Sequence, residues 1–248
     1  WSTMPDAELF ALAEKKQLSA NLPAQVKRML QDPKANSLVD NFAMQWLQLG
    51  PLVRVQPDPK RFPGFNENLR SAMRKETELF FAELIRDDRS VLDILDGTYT
   101  YLNADLARHY GIADTVGNST GAKTKKPGGK PIPREGFVRV DLSGSPRGGV
   151  LTQASVLTVT SNPTRTSPVK RGRWVLEQLL GAPPPPPPPD VPELEKDGKP
   201  LSAGTLRQRM EEHRKNPACA NCHAKMDPLG FGLENFNAVG AFRDKDSD

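Results

Sequence analysis

Two cysteines and one histidine have the spacing in this chain that most directly implies chemistry. Residues 219–223 read Cys-Ala-Asn-Cys-His, and Cys219 and Cys222 are the only cysteines of the sequence. A Cys-x-x-Cys-His run is the attachment signature of c-type haem. Two thiols on one helical turn can add to the two vinyl groups of a porphyrin, and the imidazole that follows can ligate the iron. The motif therefore predicts one covalently attached haem c, with His223 as the proximal iron ligand.

Two other uses of these cysteines fit the sequence less well. A structural zinc site needs about four ligands at fixed spacing. The chain has two further histidines, His109 and His213, and neither is spaced as in a zinc finger. A thioredoxin-like redox pair would follow a strand in a βαβ context, whereas the residues on both sides of the motif are typical of helix ends and loops. Zinc and redox thiols stay open as alternatives.

The ligand on the opposite face of the haem would decide its chemistry. A strong sixth ligand makes an electron carrier, whereas an open face permits peroxide or oxygen chemistry. His213, shortly before the motif, and His109, distant in sequence, are the candidate distal ligands. Each is also interpretable as a surface or helix-capping histidine. Met226 lies one helical turn after His223, on the same side of the haem, so we expect it to pack rather than to ligate.

Haem propionates need cationic partners. Arg165 and Arg171 are the candidates, because a guanidinium group matches a carboxylate bidentately. The alternative is a charged surface turn. Phe231 is apolar and close enough to the motif to contribute a wall of the haem pocket.

Composition excludes some partners and offers no second site. The net charge of +4 is small for 248 residues and does not indicate a nucleic-acid partner. No apolar run approaches the length of a transmembrane segment. No Ser-His-Asp pattern, phosphate loop or carboxylate pair stands out in the first 200 residues. Glu76, Glu78 and Glu83 are most simply interpreted as a solvated helix face.

The apolar periodicity predicts a mainly α protein. We expect a helical domain over 1–115, a loop-rich region with a short strand and a helix over 116–182, a polyproline linker over 183–200, and a small cytochrome c-like haem segment over 201–248. Helices are predicted near 5–13, 22–30, 36–49, 66–86, 91–95, 103–110, 173–180 and 206–214. A strand is predicted at 137–142, and 148–160 is compatible with either helix or strand. Seven consecutive prolines, 183–189, predict a stiff polyproline II rod.

Several runs of the sequence together resemble a known family. They are Ala43-Met-Gln-Trp-Leu-Gln-Leu, Leu102-Asn-Ala-Asp-Leu-Ala-Arg-His-Tyr-Gly, Arg147-Gly-Gly-Val-Leu-Thr-Gln-Ala-Ser-Val-Leu-Thr, Thr160-Ser-Asn-Pro-Thr-Arg-Thr-Ser-Pro-Val-Lys-Arg-Gly, the proline run, and Cys219-Ala-Asn-Cys-His-Ala-Lys-Met-Asp-Pro-Leu-Gly-Phe-Gly-Leu-Glu-Asn-Phe. This set resembles the large exported multidomain c-type cytochromes of planctomycetes, verrucomicrobia and acidobacteria, whose tandem domains have no known function. The resemblance implies haem and export more strongly than any reaction.

The resemblance also implies a location and a role for one proline. A protein of this kind is periplasmic or extracellular, and the chain, which starts at Trp1 without a signal peptide, is interpreted as an internal piece of a longer polypeptide. In c-type cytochromes a backbone carbonyl near a proline such as Pro228 commonly accepts the N–H of the proximal imidazole. We expect Pro228 to have that role.

Three functions fit these observations. The first is electron transfer by one covalent haem, with a redox partner protein or a neighbouring haem domain in a larger exported polypeptide or complex. The second is a component of a di-haem peroxidase or oxidase, which would need an unligated distal base such as His109 or His213. The third is a structural or scaffold subunit with an appended haem segment.

Overall fold

The computed structural model describes residues 1–112, 132–133, 136–186, 195–196, 199–200, 205–215 and 217–245. This part of the chain is mainly helical, which confirms the predicted fold class. Its α-helices are α1 (Ala7–Glu14), α2 (Leu18–Gln31), α3 (Asn36–Leu38), α4 (Met44–Trp46), α5 (Glu67–Arg86), α6 (Asp93–Asp96), α7 (Ala104–His109), α8 (Ala154–Val159), α9 (Pro168–Trp174), α10 (Leu206–His213) and α11 (Pro217–Phe231). Its strands are β1 (Tyr99–Leu102), β2 (Val138–Asp141), β3 (Glu195–Lys196) and β4 (Lys199–Pro200).

Local capping signals determine where several helices begin. The Asp6 carboxylate accepts a hydrogen bond from the backbone N–H of Leu9 at the start of α1. Asn103 does the same at the start of α7, and Ser167 does so at the start of α9. Short polar side chains satisfy the N–H groups that lack partners in the first helical turn. The starts of α1 and α7 lie within two residues of the predicted positions 5 and 103, whereas α9 begins at Pro168, five residues before the predicted 173.

The chain divides into two compact units that differ from the predicted domains. The first unit contains Trp1–Val53 and Asn68–Gln153, and the second contains Arg54–Glu67 and Ala154–Asp248. The described part of the predicted loop-rich region, 116–182, is shared between them. Strand β2, predicted there, pairs antiparallel with β1 in the first unit, whereas α9 belongs to the second. A strand needs a partner for its backbone hydrogen bonds, and that partner cannot be read from local sequence.

Helix α5 carries the core of the first unit. Met73 and Phe80 are fully buried along one face of this helix. The Phe80 ring stacks on Tyr99 of β1, with 5.1 Å between the ring centroids. The predicted 66–86 helix is thus confirmed.

The prediction that the α5 glutamates form a solvated face is wrong for two of the three. Glu76 is 1% exposed, and its carboxylate accepts hydrogen bonds of 2.6 Å from both Thr100 and Tyr110. Glu83 is 4% exposed and accepts from the Arg139 guanidinium at 3.0 Å. The two glutamates are seven residues apart and therefore share a helix face. That face is covered by β1 and β2, which the periodicity of α5 alone could not show.

Burial changes the proton affinity of Glu76. Desolvation raises the pKa of this carboxyl group to about 7, although the hydrogen bonds from Thr100 and Tyr110 and the charge of Arg147 act in the opposite direction. The Arg147 guanidinium lies over the Tyr110 ring, 3.6 Å from its centroid. The first unit thus encloses a carboxyl group that titrates near neutral pH.

The second unit is built on the crossing of α9 and α11. A Cβ atom placed on Gly172 of α9 would lie 1.9 Å from the backbone oxygen of Met226. A Cβ on Gly230 of α11 would lie 1.9 Å from the backbone oxygen of Pro168. The two helices therefore touch backbone to backbone at two points, which only glycine permits. Leu157 of α8, in the same unit, is fully buried.

Two further sequence predictions concern segment 148–160 and the polyproline run. Segment 148–160, left open between helix and strand, forms a 3-10 turn at Val150–Thr152 followed by α8. The described prolines of the polyproline run, 183–186, are neither helix nor strand, and 187–189 lie outside the described residues. Within the described part of the chain, no helix combines the length and apolar character needed to cross a membrane.

Substituting Gly230 should destabilise the second unit. The added methyl group of Gly230→Ala meets a backbone oxygen, which cannot rotate away, so we expect a loss of about 2 kcal/mol or more in unfolding free energy. Gly64→Ala is the matched control, because nothing lies within 4 Å of its added Cβ. Urea unfolding of both variants measures the difference. Equal midpoints would show that α9 and α11 do not cross as closely as described.

The pH dependence of stability should report on Glu76. Its folded-state pKa of about 7 lies above the reference value of 4.5, so the folded chain binds this proton more tightly than the unfolded chain. This stabilisation is complete below pH 4.5 and is lost as the pH rises through 7, by roughly 3 kcal/mol in total. Glu76→Gln should remove that decline. Glu78→Gln, whose carboxylate pairs with Arg74 and Lys75, should keep it. Thermal unfolding of the wild type and both variants between pH 4 and 8 measures how stability changes with pH. Equal slopes of stability against pH in all three proteins would contradict the raised pKa of Glu76.

Candidate haem attachment site

The whole Cys-x-x-Cys-His motif lies within α11. This helix begins at Pro217, where a proline is favoured because its missing N–H would have no helical partner. Position 219 lies about one turn before positions 222 and 223 of the same helix. The expectation of helix ends and loops on both sides of the motif is therefore wrong on the C-terminal side, where the helix continues to Phe231. Residues 219 and 222, three apart, share one helix face.

The His223 imidazole is held by a buried carboxylate. Its Nδ1 lies 2.9 Å from Oδ1 of Asp227, one helical turn further on. Asp227 is fully buried, and the His223 side chain is 12% exposed. The second carboxylate oxygen of Asp227 faces Nε of Arg214, the residue that follows α10, at 3.5 Å. An ionised carboxylate can only accept hydrogen bonds, so Nδ1 carries the hydrogen, and a neutral imidazole then has its lone pair on Nε2.

A carbonyl near Pro228 was expected to accept the N–H of His223, but the acceptor beside Nδ1 is the Asp227 carboxylate. The imidazole N–H meets the Asp227 carboxylate, and the Pro228 carbonyl accepts from the backbone N–H of Gly232 at 3.1 Å. The sequence held a usable signal for Asp227. An acidic residue four positions after a ligating histidine on one helix lies beside its ring.

The remaining motif side chains are described only in part. The Cys222 thiol is half-buried and forms no disulfide. The side chains of Cys219 and of His213, the last residue of α10, lie outside the described residues. His109 ends α7 in the first unit, where its ring lies 5.9 Å from that of Tyr110. The distal roles of His213 and His109 stay predictions. No group of three or more His, Cys, Asp or Glu side chains placed to bind a metal occurs among the described residues.

Two apolar residues of α11 have clear environments. Met226 is 6% exposed and its backbone packs against Gly172, so it has the packing role expected from its position. The Phe231 ring, predicted to line the porphyrin, has the Arg207 guanidinium 4.3 Å from its centroid. Phe231 therefore packs against α10 on at least one face.

Arg171 is part of a buried cage rather than an available cation. Its Nη1 donates to the carbonyls of Leu233 and Phe236 at 2.7 and 2.8 Å, and its Nη2 donates to the carbonyl of Asn237 at 2.8 Å. It also pairs with the Glu234 carboxylate at 3.1 Å, and its side chain is fully buried. A propionate could reach these nitrogens only by displacing backbone carbonyls. The structure thus assigns Arg171 to holding the turns after α11, which corrects the sequence-based choice.

Arg165 lies in a different environment, next to a second cation. Its Nη1 donates to the Thr166 carbonyl at 2.9 Å. Desolvation, and then the nearby charge of Arg165, lower the pKa of Lys170. The Lys170 ammonium donates to the Asn162 side chain at 2.6 Å. An anion placed between these two cations would offset the charge repulsion at Lys170.

Comparison with known families places the chain in two adjoining domains. Residues 1–112 match the family PSD4, described as a protein of unknown function (DUF1592). Residues 147–246, which include the Cys-x-x-Cys-His motif, match the family PSCyt3, also described as a protein of unknown function (DUF1588). The chain therefore contains one DUF1592 and one DUF1588 domain, the tandem domains of unknown function that the sequence runs resemble. No curated protein and no solved structure matches the chain.

Removing the Arg171 guanidinium should destabilise the DUF1588 domain strongly. Arg171→Met leaves three backbone carbonyls without their guanidinium donor and removes one of the two arginines paired with Glu234, and we expect a loss of about 3–5 kcal/mol. Arg173→Met is the control on the same helix, because its pair with Glu177 is exposed and should contribute about 0.5 kcal/mol or less. Chemical unfolding measures the free energy of unfolding of both variants. Similar losses in both variants would contradict the cage.

Proposed function

We propose that this chain is part of an exported c-type cytochrome that binds one haem c and transfers electrons. Cys219 and Cys222 form the thioether bonds, and His223 is the axial ligand of the iron. The observation that carries this proposal is the Cys-x-x-Cys-His motif on one helix together with the carboxylate bound to His223 Nδ1. Export follows from the chemistry, since haem c is attached outside the cytoplasmic membrane.

The donor set at His223 fits a haem ligand. Histidines that bind metals almost always donate their second ring N–H to a carboxylate or carbonyl, which sets the tautomer and the ring orientation. His223 already has that arrangement through Asp227. A surface histidine has no need of a fully buried partner, because burying a carboxylate costs free energy unless its charge is compensated.

The propionate groups are assigned to the cationic pair Arg165 and Lys170. Desolvation and then the charge of Arg165 lower the pKa of Lys170, and a carboxylate between the two cations would offset both effects. Lys170 belongs to α9, the helix that packs against α11. Of the two arginines predicted from the sequence to bind the propionates, Arg165 retains that role, and Lys170 takes it in place of Arg171.

When bound, the haem supplies one-electron exchange between ferric and ferrous iron. The chain's own residues bind and orient it: two thiols anchor the ring edge, His223 presents Nε2, and Asp227 holds the proton on Nδ1. A redox partner protein or a neighbouring haem domain would deliver and remove the electron. None of these roles requires a proton-transferring side chain.

A peroxidase or oxidase role is the second candidate, and one observation favours it. A carboxylate partner makes a histidine ligand more basic, which stabilises oxidised iron. His223 has such a partner. This role additionally requires an open distal face, which distinguishes it from electron transfer.

Production of the chain with a haem c maturation system tests the attachment. We expect a mass increase of one haem that survives denaturation, and its loss when Cys219 and Cys222 are both replaced by alanine. Asn221→Ala, an exposed position between the cysteines, is the control and should keep the haem. Absence of covalent haem from the wild-type chain, while a known cytochrome matures in the same cells, would overturn the proposal.

Visible spectra with and without carbon monoxide separate the two candidates. A low-spin spectrum that carbon monoxide leaves unchanged means that both axial positions are filled, as electron transfer predicts. A high-spin spectrum that shifts with carbon monoxide means an open face and favours peroxide or oxygen chemistry.

A further inference from the structure

We propose that Asp227 is the positioning residue of the haem ligand His223, and that its buried charge lowers the reduction potential of the iron. This inference rests on the proposed function, because it takes His223 as the axial ligand. It goes beyond that function by assigning a residue outside the Cys-x-x-Cys-His motif to the control of the electron-transfer energy.

The first step is geometric. Asp227 follows His223 by four residues on α11, so the two side chains lie one above the other on the same face. The distance of 2.9 Å between Nδ1 and Oδ1 is that of a charge-assisted hydrogen bond. This bond fixes the hydrogen on Nδ1 and leaves the lone pair on Nε2, the atom that would meet the iron.

The surroundings of the Asp227 carboxylate determine on which group its negative charge acts. The residue is fully buried, and within the described residues its Oδ2 has no hydrogen-bond donor. The nearest cation, Nε of Arg214, is 3.5 Å from Oδ2. The negative charge of Asp227 therefore acts mainly on His223 through this hydrogen bond, which the low local dielectric strengthens.

The segment of α11 that carries Asp227 is held in place by close backbone contacts. Residue 226, adjacent to Asp227, has its backbone oxygen pressed against Gly172, and Gly230 is pressed against Pro168. These two contacts hold the segment of α11 that carries Asp227 on both sides. The carboxylate cannot move away from the imidazole when the charge on the iron changes. A fixed hydrogen-bond partner of a metal ligand changes the properties of the metal without contacting it.

The consequence is electrostatic. Ferric haem carries one more positive charge than ferrous haem, and a fixed negative charge on the ligand stabilises the more positive form. Hydrogen bonding to the axial ligand is one of the means by which proteins set haem potentials. Asp227 should therefore hold the potential below that of the same site with a neutral partner.

Potentiometric titration of the haem-loaded full chain tests this. In Asp227→Asn we expect the ferric-to-ferrous ratio at a fixed ambient potential to fall at least tenfold, which is an upward shift of about 59 mV for one electron. Glu211→Gln is the matched control, since it removes one negative charge from α10 at a side chain that is 52% exposed. We expect it to change the ratio less than threefold. Asp227→Glu keeps the charge and should restore most of the wild-type potential.

A second measurement does not depend on haem. In the haem-free chain, nitrogen-15 NMR of labelled histidine should show His223 as the Nδ1–H tautomer. In Asp227→Asn the amide can donate to Nδ1, so the Nε2–H tautomer should appear. The wild-type spectrum alone decides the tautomer if the Asn variant fails to fold. His223 with its hydrogen on Nε2 in the wild-type chain would overturn the inference.

The remaining outcomes separate this inference from the function on which it rests. Haem attachment with equal potentials in wild type and Asp227→Asn would overturn the role of Asp227 and leave the cytochrome assignment standing. Equal upward shifts in Asp227→Asn and Glu211→Gln would show a general charge effect and would also overturn it. A wild-type chain that takes up no haem would overturn both.

Discussion

The close contact between α9 and α11 is the constraint on which the DUF1588 domain depends. Gly172 and Gly230 bring the two backbones together where any Cβ atom would collide with a carbonyl oxygen. This contact holds the segment of α11 that carries His223 and Asp227. It also brings Arg171 of α9 under the turns that follow α11, where its guanidinium binds three backbone carbonyls. The site and its support thus arise from one helix crossing.

Buried charge is used differently in the two units. In the DUF1592 domain, Glu76 is enclosed with hydroxyl donors and a more distant arginine, and its pKa rises to about 7. In the DUF1588 domain, Arg171 is surrounded by carbonyls and a carboxylate, and Asp227 by an imidazole and Arg214. A buried charge is tolerated only where partners compensate its desolvation. Glu76 makes the stability of its domain depend on pH, whereas Asp227 is suited to act on the proposed haem ligand His223.

A single electrostatic arrangement links the proposed cytochrome function with its tuning. In the proposed function the motif would supply the anchors and the ligand, and the carboxylate one turn later would set which ring nitrogen carries the lone pair. The same hydrogen bond makes the ligand more basic, which suits a carrier of low potential or an enzyme that stabilises oxidised iron. The ligand on the opposite face decides between these two roles.

Much of this protein follows from local sequence. The Cys219–His223 motif, the mainly helical class, the capped starts of α1 and α7, and strand β2 were predictable, because spacing, capping and alternation act over a few residues. The burial of Glu76, the cage around Arg171 and the choice of Asp227 over the carbonyl near Pro228 were not, although the position of Asp227 four residues after His223 gave a hint. Each depends on which distant element covers a side chain. Periodicity shows that residues share a helix face, but only tertiary packing decides whether that face meets water, a carbonyl or a charge.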